Sequence, residues 1–220
     1  MRLHGLSTPA VRRLDLWGAC ALVAAAMLAV SAWLPLWEME MHAPQYPQGL
    51  SLTAYGTRME GDLDEVNELN HYVGAAPISP EEVLELRLFP YALAGLVAAL
   101  VLGAVLVRRR AVRVALALGV WAMAIGFLAD LQWWLYRVGH GLSPDAPMRP
   151  GDFTPKVLGT TQVMNFRNET MVAEGFWLIV GAAFLVSFGP PIIRFVVASW
   201  QNTGAVPPAH APKAARRHAA

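Results

Sequence analysis

Long apolar runs alternate with long polar stretches along this chain. Residues 16–36, 89–107, 114–135 and 175–197 are the apolar runs. About 20 residues of helix cross a hydrocarbon core of roughly 30 Å, so each run is long enough to be a transmembrane span. The first run is longer than the apolar region of a signal peptide. It is followed by Trp33, Pro35 and Trp37 rather than a small-residue cleavage site, so a retained anchor is expected. Between the runs lie polar segments 38–88 and 136–174. Inside the first, residues 61–74 show helical spacing, with Val66, Leu69, Asn70 and Val73 on one side. Residues 81–88 follow as a short helix, with Ser79 at the cap and Pro80 at the first helical position. Gly189, Pro190 and Pro191 should kink or unwind the last run.

The expected fold is an all-α integral membrane protein with four transmembrane helices. Both termini are cytoplasmic, and two periplasmic loops form a small cap. Residues 1–198 make the membrane domain, and the Ala/Pro-rich residues 199–220 a disordered cytoplasmic tail. Orientation rests on Arg2, Arg12, Arg13, the Arg108–Arg109–Arg110 cluster with Arg113, Arg194, Lys213, Arg216 and Arg217, all on one side. Positive charge collects on the cytoplasmic side, so both termini read as inside and both polar segments as outside. Composition agrees: 55% hydrophobic and 15% charged residues, with net charge +1, are too apolar for an ordinary soluble domain. Nothing suggests nucleic acid as a partner. The single Cys20 excludes an internal disulfide and any multi-cysteine metal site within one chain.

Candidate chemistry gathers in the polar segments. Met39, Met41 and His42 offer thioether and imidazole ligands that suit copper, or else the methionines pack as flexible apolar filler. His71 lies in a string with Asn67, Asn70 and Tyr72, either as a ligand or as part of a polar network fixing the loop. His140 sits between glycines and could meet His71 or Met39, near Met148, Met164 and Met171 in the same segment. Asp130 falls inside the third run, where a carboxylate is costly unless paired or wet. It reads as an ion or proton relay, or as a structural pair with Gln132 or Arg137. The first segment holds ten carboxylates against Arg58 and Arg87, and the second is more basic, so the two could dock by charge. The sequence lacks a phosphate loop, a serine-hydrolase elbow, a His-Glu-x-x-His string and a Cys-x-x-Cys-His string. No constellation for a stand-alone enzyme appears. The apolar runs hold no histidine, which argues against a haem held by two histidines.

Two strings carry a resemblance. One is Met41-His-Ala-Pro-Gln-Tyr-Pro-Gln-Gly-Leu with Gly61-Asp-Leu-Asp-Glu-Val-Asn-Glu-Leu-Asn-His-Tyr-Val-Gly. The other is Tyr136-Arg-Val-Gly-His-Gly-Leu-Ser-Pro-Asp-Ala-Pro, with Phe153-Thr-Pro and Asn165-Phe after it. Together they resemble a family of small multi-span bacterial membrane proteins associated with nitrous oxide reductase and its copper maturation. The resemblance implies a multi-pass protein of the bacterial inner membrane with an accessory role in nitrous oxide respiration on the periplasmic face, in copper delivery or electron supply. The partner would be the copper enzyme or its maturation factors. Ala75 stands where the resemblance would put a methionine. Copper, held by Met39, Met41, His42, His71 and His140, is the cofactor expected. Two alternatives remain at this stage: a metal-free scaffold docking a periplasmic partner, and a quinol-linked electron-transfer subunit with Asp130, Trp133 and Trp134 beside the quinone.

Overall fold

A computed structural model describes residues 14–203. Arg2, Arg12 and Arg13, and the tail from 204 onward, lie outside the described residues. The helices are α1 (Leu16–Ser31), α2 (Leu63–Val73), α3 (Leu84–Leu106), α4 (Arg110–His140) and α5 (Glu174–Thr203). The strands are β1 (Trp37–Ala43), β2 (Tyr46–Ala54), β3 (Met59–Gly61), β4 (Gly159–Val163) and β5 (Phe166–Val172).

The expected all-α four-span bundle is therefore corrected on two counts. The polar segments build a five-stranded antiparallel sheet, in the order β3-β2-β1-β5-β4. Among the described residues only α3, α4 and α5 are long and apolar enough to cross a membrane. The first apolar run does not become one long helix. α1 has 16 residues, about 24 Å at 1.5 Å per residue. Its chain turns at Ala32, and the Leu36 N–H already bonds Ala54 O at 2.8 Å on the way into β1. The last five residues of that apolar run thus serve the approach to the sheet.

β1 forms because its sequence alternates. Trp37, Met39, Met41 and Ala43 are buried on one face, while Glu38, Glu40 and His42 turn to the other. It is the central strand and joins the two polar segments: Trp37 pairs with Val172 and Ala54, and Met41 with Asn168 and Leu50. The segments dock as expected, but through main-chain ladders rather than through opposite charge. On the outer face Glu40 sits directly opposite Glu169, a repulsive pair. Each is offset along its own strand, by His42 at 3.3 Å and by Arg167 at 2.6 Å.

α2 forms where the spacing predicts, burying Val66, Leu69 and Val73 against the inner face of the sheet. Gly74 ends it in the left-handed conformation at φ 79°. Residues 81–88 are not a separate helix. Pro80–Glu82 is a single 3-10 turn without a side-chain cap from Ser79, and Leu84 begins α3. α5 continues through Pro190 and Pro191 without unwinding, and residues 199–203 belong to it.

Two apolar cores result. In the bundle core α1 presents Ala21, Ala24, Ala25 and Leu28 to α3 and α5. These small side chains allow close backbone approach. The second core lies between sheet, α2 and the upper part of α4, and Phe127 packs against both. At the far end from the sheet, Asp15 caps α1 by accepting the Gly18 N–H at 2.9 Å. It also receives Arg113 at 2.5 Å and Arg108 at 3.4 Å.

Candidate functional site: an apolar cavity beneath the sheet

Where α3 and α4 meet the inner face of the sheet, the packing leaves a cavity of about 420 Å³. That lies within the size range of small-molecule sites, roughly 300–1,000 Å³. Trp37, Met39 and Met41 of β1 and Leu52 and Ala54 of β2 roof it, and Val66 and Leu69 of α2 close one side. Its deep end lies between the helices, at Phe89 and Ala92 of α3 and Ala122 and Met123 of α4. Gly126 lines it, and a Cβ there would meet nothing within 4 Å.

The wall is almost wholly carbon. Tryptophan indoles aside, the side chains bearing nitrogen or oxygen are Asn70, Glu85, Asp130 and Asn168. Asn168 lies on β5 beside Met41. Its Oδ1 is buried without a hydrogen-bond partner among the described residues. An orphaned buried acceptor costs about 1–3 kcal/mol, and this one is shielded from the cavity space, so a bound donor reaches it only when the Asn168 amide turns. A polar recess adjoins the cavity at Val83, Glu85 and Trp134, and adds Ser79 and Arg137.

The residues singled out from sequence divide among several surfaces. Met39 and Met41 enter the cavity wall, only 8% and 7% exposed. His42 is on the opposite face of the sheet beside Glu40. His71 is exposed in the last turn of α2. His140 ends α4, stacked on Tyr136 with ring centroids 3.9 Å apart, and its Nδ1 lies 3.0 Å from Tyr136 O. Among the described residues no group of three or more His, Cys, Asp or Glu side chains could hold a metal ion. The five-residue ligand set is thus not brought together, because strand alternation separates Met41 from its neighbour His42.

The polar set behaves differently. Asn67 grips the main chain of Ile78 from both sides, donating Nδ2 to its oxygen at 3.0 Å and accepting its N–H at 2.7 Å. Asn70 faces the cavity. Tyr72 is exposed, and its carbonyl accepts the Met148 N–H at 2.9 Å, tying the second polar segment to α2. Asp130 lines the cavity without either expected partner. Gln132 instead donates to Pro155 O at 2.9 Å and accepts the Val157 N–H at 3.0 Å. Sequence reasoning missed Glu85, Gly126 and Asn168. Only the alternation of β1 pointed toward a sheet on which Asn168 could lie.

Fold and cavity together define a class: three membrane-length helices carry an antiparallel sheet that roofs an apolar chamber. No protein-family model matches the chain, and no curated protein matches its sequence.

Proposed function

We propose that this protein is a membrane accessory protein that takes a lipophilic molecule from the bilayer into the cavity under its sheet. One observation carries the reading. The chamber is lined by carbon, reaches between two membrane-length helices, and keeps a few polar groups near its roof and mouth. A chain taken from lipid gains no water-exclusion energy there, so packing against the wall and the few polar groups must favour its binding. Arg108, Arg109, Arg110 and Arg113 lie at the end away from the sheet, which supports a cytoplasmic membrane with the sheet on the outer side.

Of the roles expected from sequence, the quinol-linked one uses this geometry most directly, since Asp130 and Trp134 line the chamber. Electron transfer would require an acceptor besides the quinol, so the proposal is confined to binding. Copper handling would rest on Met39 and Met41 alone. The setting proposed for the binding is the one the resemblance implies, an accessory step of nitrous oxide respiration.

The test is mass spectrometry of protein released from native-membrane nanodiscs, wild type beside Gly126→Phe. The wild type should carry a lipophilic molecule that the filled-cavity variant lacks. Equal cargo in both would overturn the reading.

A further inference from the structure

The polar atoms of the chamber are unevenly matched. Glu85 and Asp130 face it, and neither forms a hydrogen bond or ion pair with another described residue. Asn168 Oδ1 is a buried acceptor without a donor. Among the described residues no lysine or arginine lines the chamber, and Arg137 lies in the adjoining recess. The Trp37 indole N–H is already given to Val157 O at 2.7 Å. The donors left in the wall are the amide nitrogens of Asn70 and Asn168 and the indole of Trp134. The wall thus holds two carboxyl side chains, Glu85 exposed and Asp130 half-buried, and no cationic side chain among the described residues.

Resting on the cavity reading above, we infer that the chamber selects lipophilic molecules whose polar end donates hydrogen bonds, a hydroxyl or a protonated amine, over those that end in an anion. The chain of such a molecule occupies the deep end at Phe89, Ala92 and Met123, and its head faces Asp130 and Asn168. A hydroxyl satisfies the Asn168 oxygen. An ammonium satisfies it and also meets the carboxylates. An anionic head would face two carboxylates with no cation in the wall.

The experiment uses full-length protein in zwitterionic nanodiscs, with the intrinsic tryptophan fluorescence, to which Trp37 and Trp134 of the wall contribute, as reporter. Dodecanol, dodecylamine and dodecanesulfonate are titrated below their micellar concentrations into the wild type and into Asp130→Asn, Asn168→Leu and Gly126→Phe. The alcohol, the amine or both should bind at least about ten-fold more tightly than the sulfonate, as expected when an anionic head is held against a half-buried carboxylate. A preference for the amine that falls in Asp130→Asn identifies an ammonium head. A preference for the alcohol that falls in Asn168→Leu identifies a hydroxyl. Sulfonate binding as tight as either overturns the selectivity. In that case the cavity reading still stands if Gly126→Phe weakens all three ligands. If Gly126→Phe weakens none, the cavity reading itself fails. Thermal melts of each variant show whether a loss of binding is only a loss of folding.

Discussion

Two amide side chains hold the connections around the chamber. Asn67 clamps Ile78, and Gln132 clamps Pro155 and Val157, each using both its donor and its acceptor on main-chain atoms. Asn67→Ala leaves the N–H and C=O of Ile78 without that partner. It should lower stability by about 1–3 kcal/mol. Hydrogen exchange should rise at residue 78 first, and unchanged exchange there would refute the clamp. At the other end, Asp15 gives a pH signature. Burial raises its pKa, but the Arg113 hydrogen bond, the Gly18 N–H and the charges of Arg113 and Arg108 outweigh this and hold it below the ordinary 3.8. A carboxyl depressed by folding contributes stability that is fully present above its unfolded value and is lost as pH falls through the folded one. The melting-temperature advantage of the wild type over Asp15→Asn should thus be constant near neutral pH and shrink below about pH 4. An advantage independent of pH would show that the pair contributes nothing.

At the scale of elements, two glycines of α4 make opposite predictions. A Cβ on Gly139 would lie 1.9 Å from Phe153 O, whose chain docks there through the Phe153 N–H to Gly139 O bond of 3.1 Å. Gly139→Ala should cost about 1–3 kcal/mol by overpacking. Gly126→Ala adds a methyl to open space and should be neutral, or stabilising by up to about 1 kcal/mol through helix propensity. Melts of the two variants side by side check this, and equal losses would mean the space at Gly126 is not open. The membrane-length helices and α2 were legible in sequence, because hydropathy and the spacing of Val66, Leu69 and Val73 act within one element. The sheet was not read, although Trp37 to Ala43 alternates with period two. The same string also reads as a Met-x-Met-His ligand set, and the main-chain partners that make it a strand lie partly on β5, beyond α3 and α4. The chamber was illegible for the same reason. Asn168 and Asp130 share it only after the fold has crossed β5 over the bundle.

For the whole molecule, the surface separates by chemistry. Trp33, Tyr91, Trp133 and Trp177 come from α3, α4, α5 and the turn after α1, and are 60–77% exposed toward the sheet-bearing end. Amphipathic rings of this kind settle at the membrane–water boundary. Above them the sheet shows Glu40, His42, Arg167 and Glu169 on its outer face. Below them, at the opposite end, sit the arginines that bind Asp15. A bilayer lying between those levels leaves the hairpin of β1 and β2 on one side and the turn between α3 and α4 on the other, and the proposed orientation makes the second side cytoplasmic. Because Cys20 is the sole cysteine, a Cys20→Ala background isolates single introduced thiols. Gln48→Cys should react with a membrane-impermeant maleimide in intact spheroplasts, whereas Arg110→Cys should react only after permeabilisation. The reverse pattern would put the sheet in the cytoplasm. The roof of the chamber would then face the cell interior, and the periplasmic partner that the resemblance implies would be excluded.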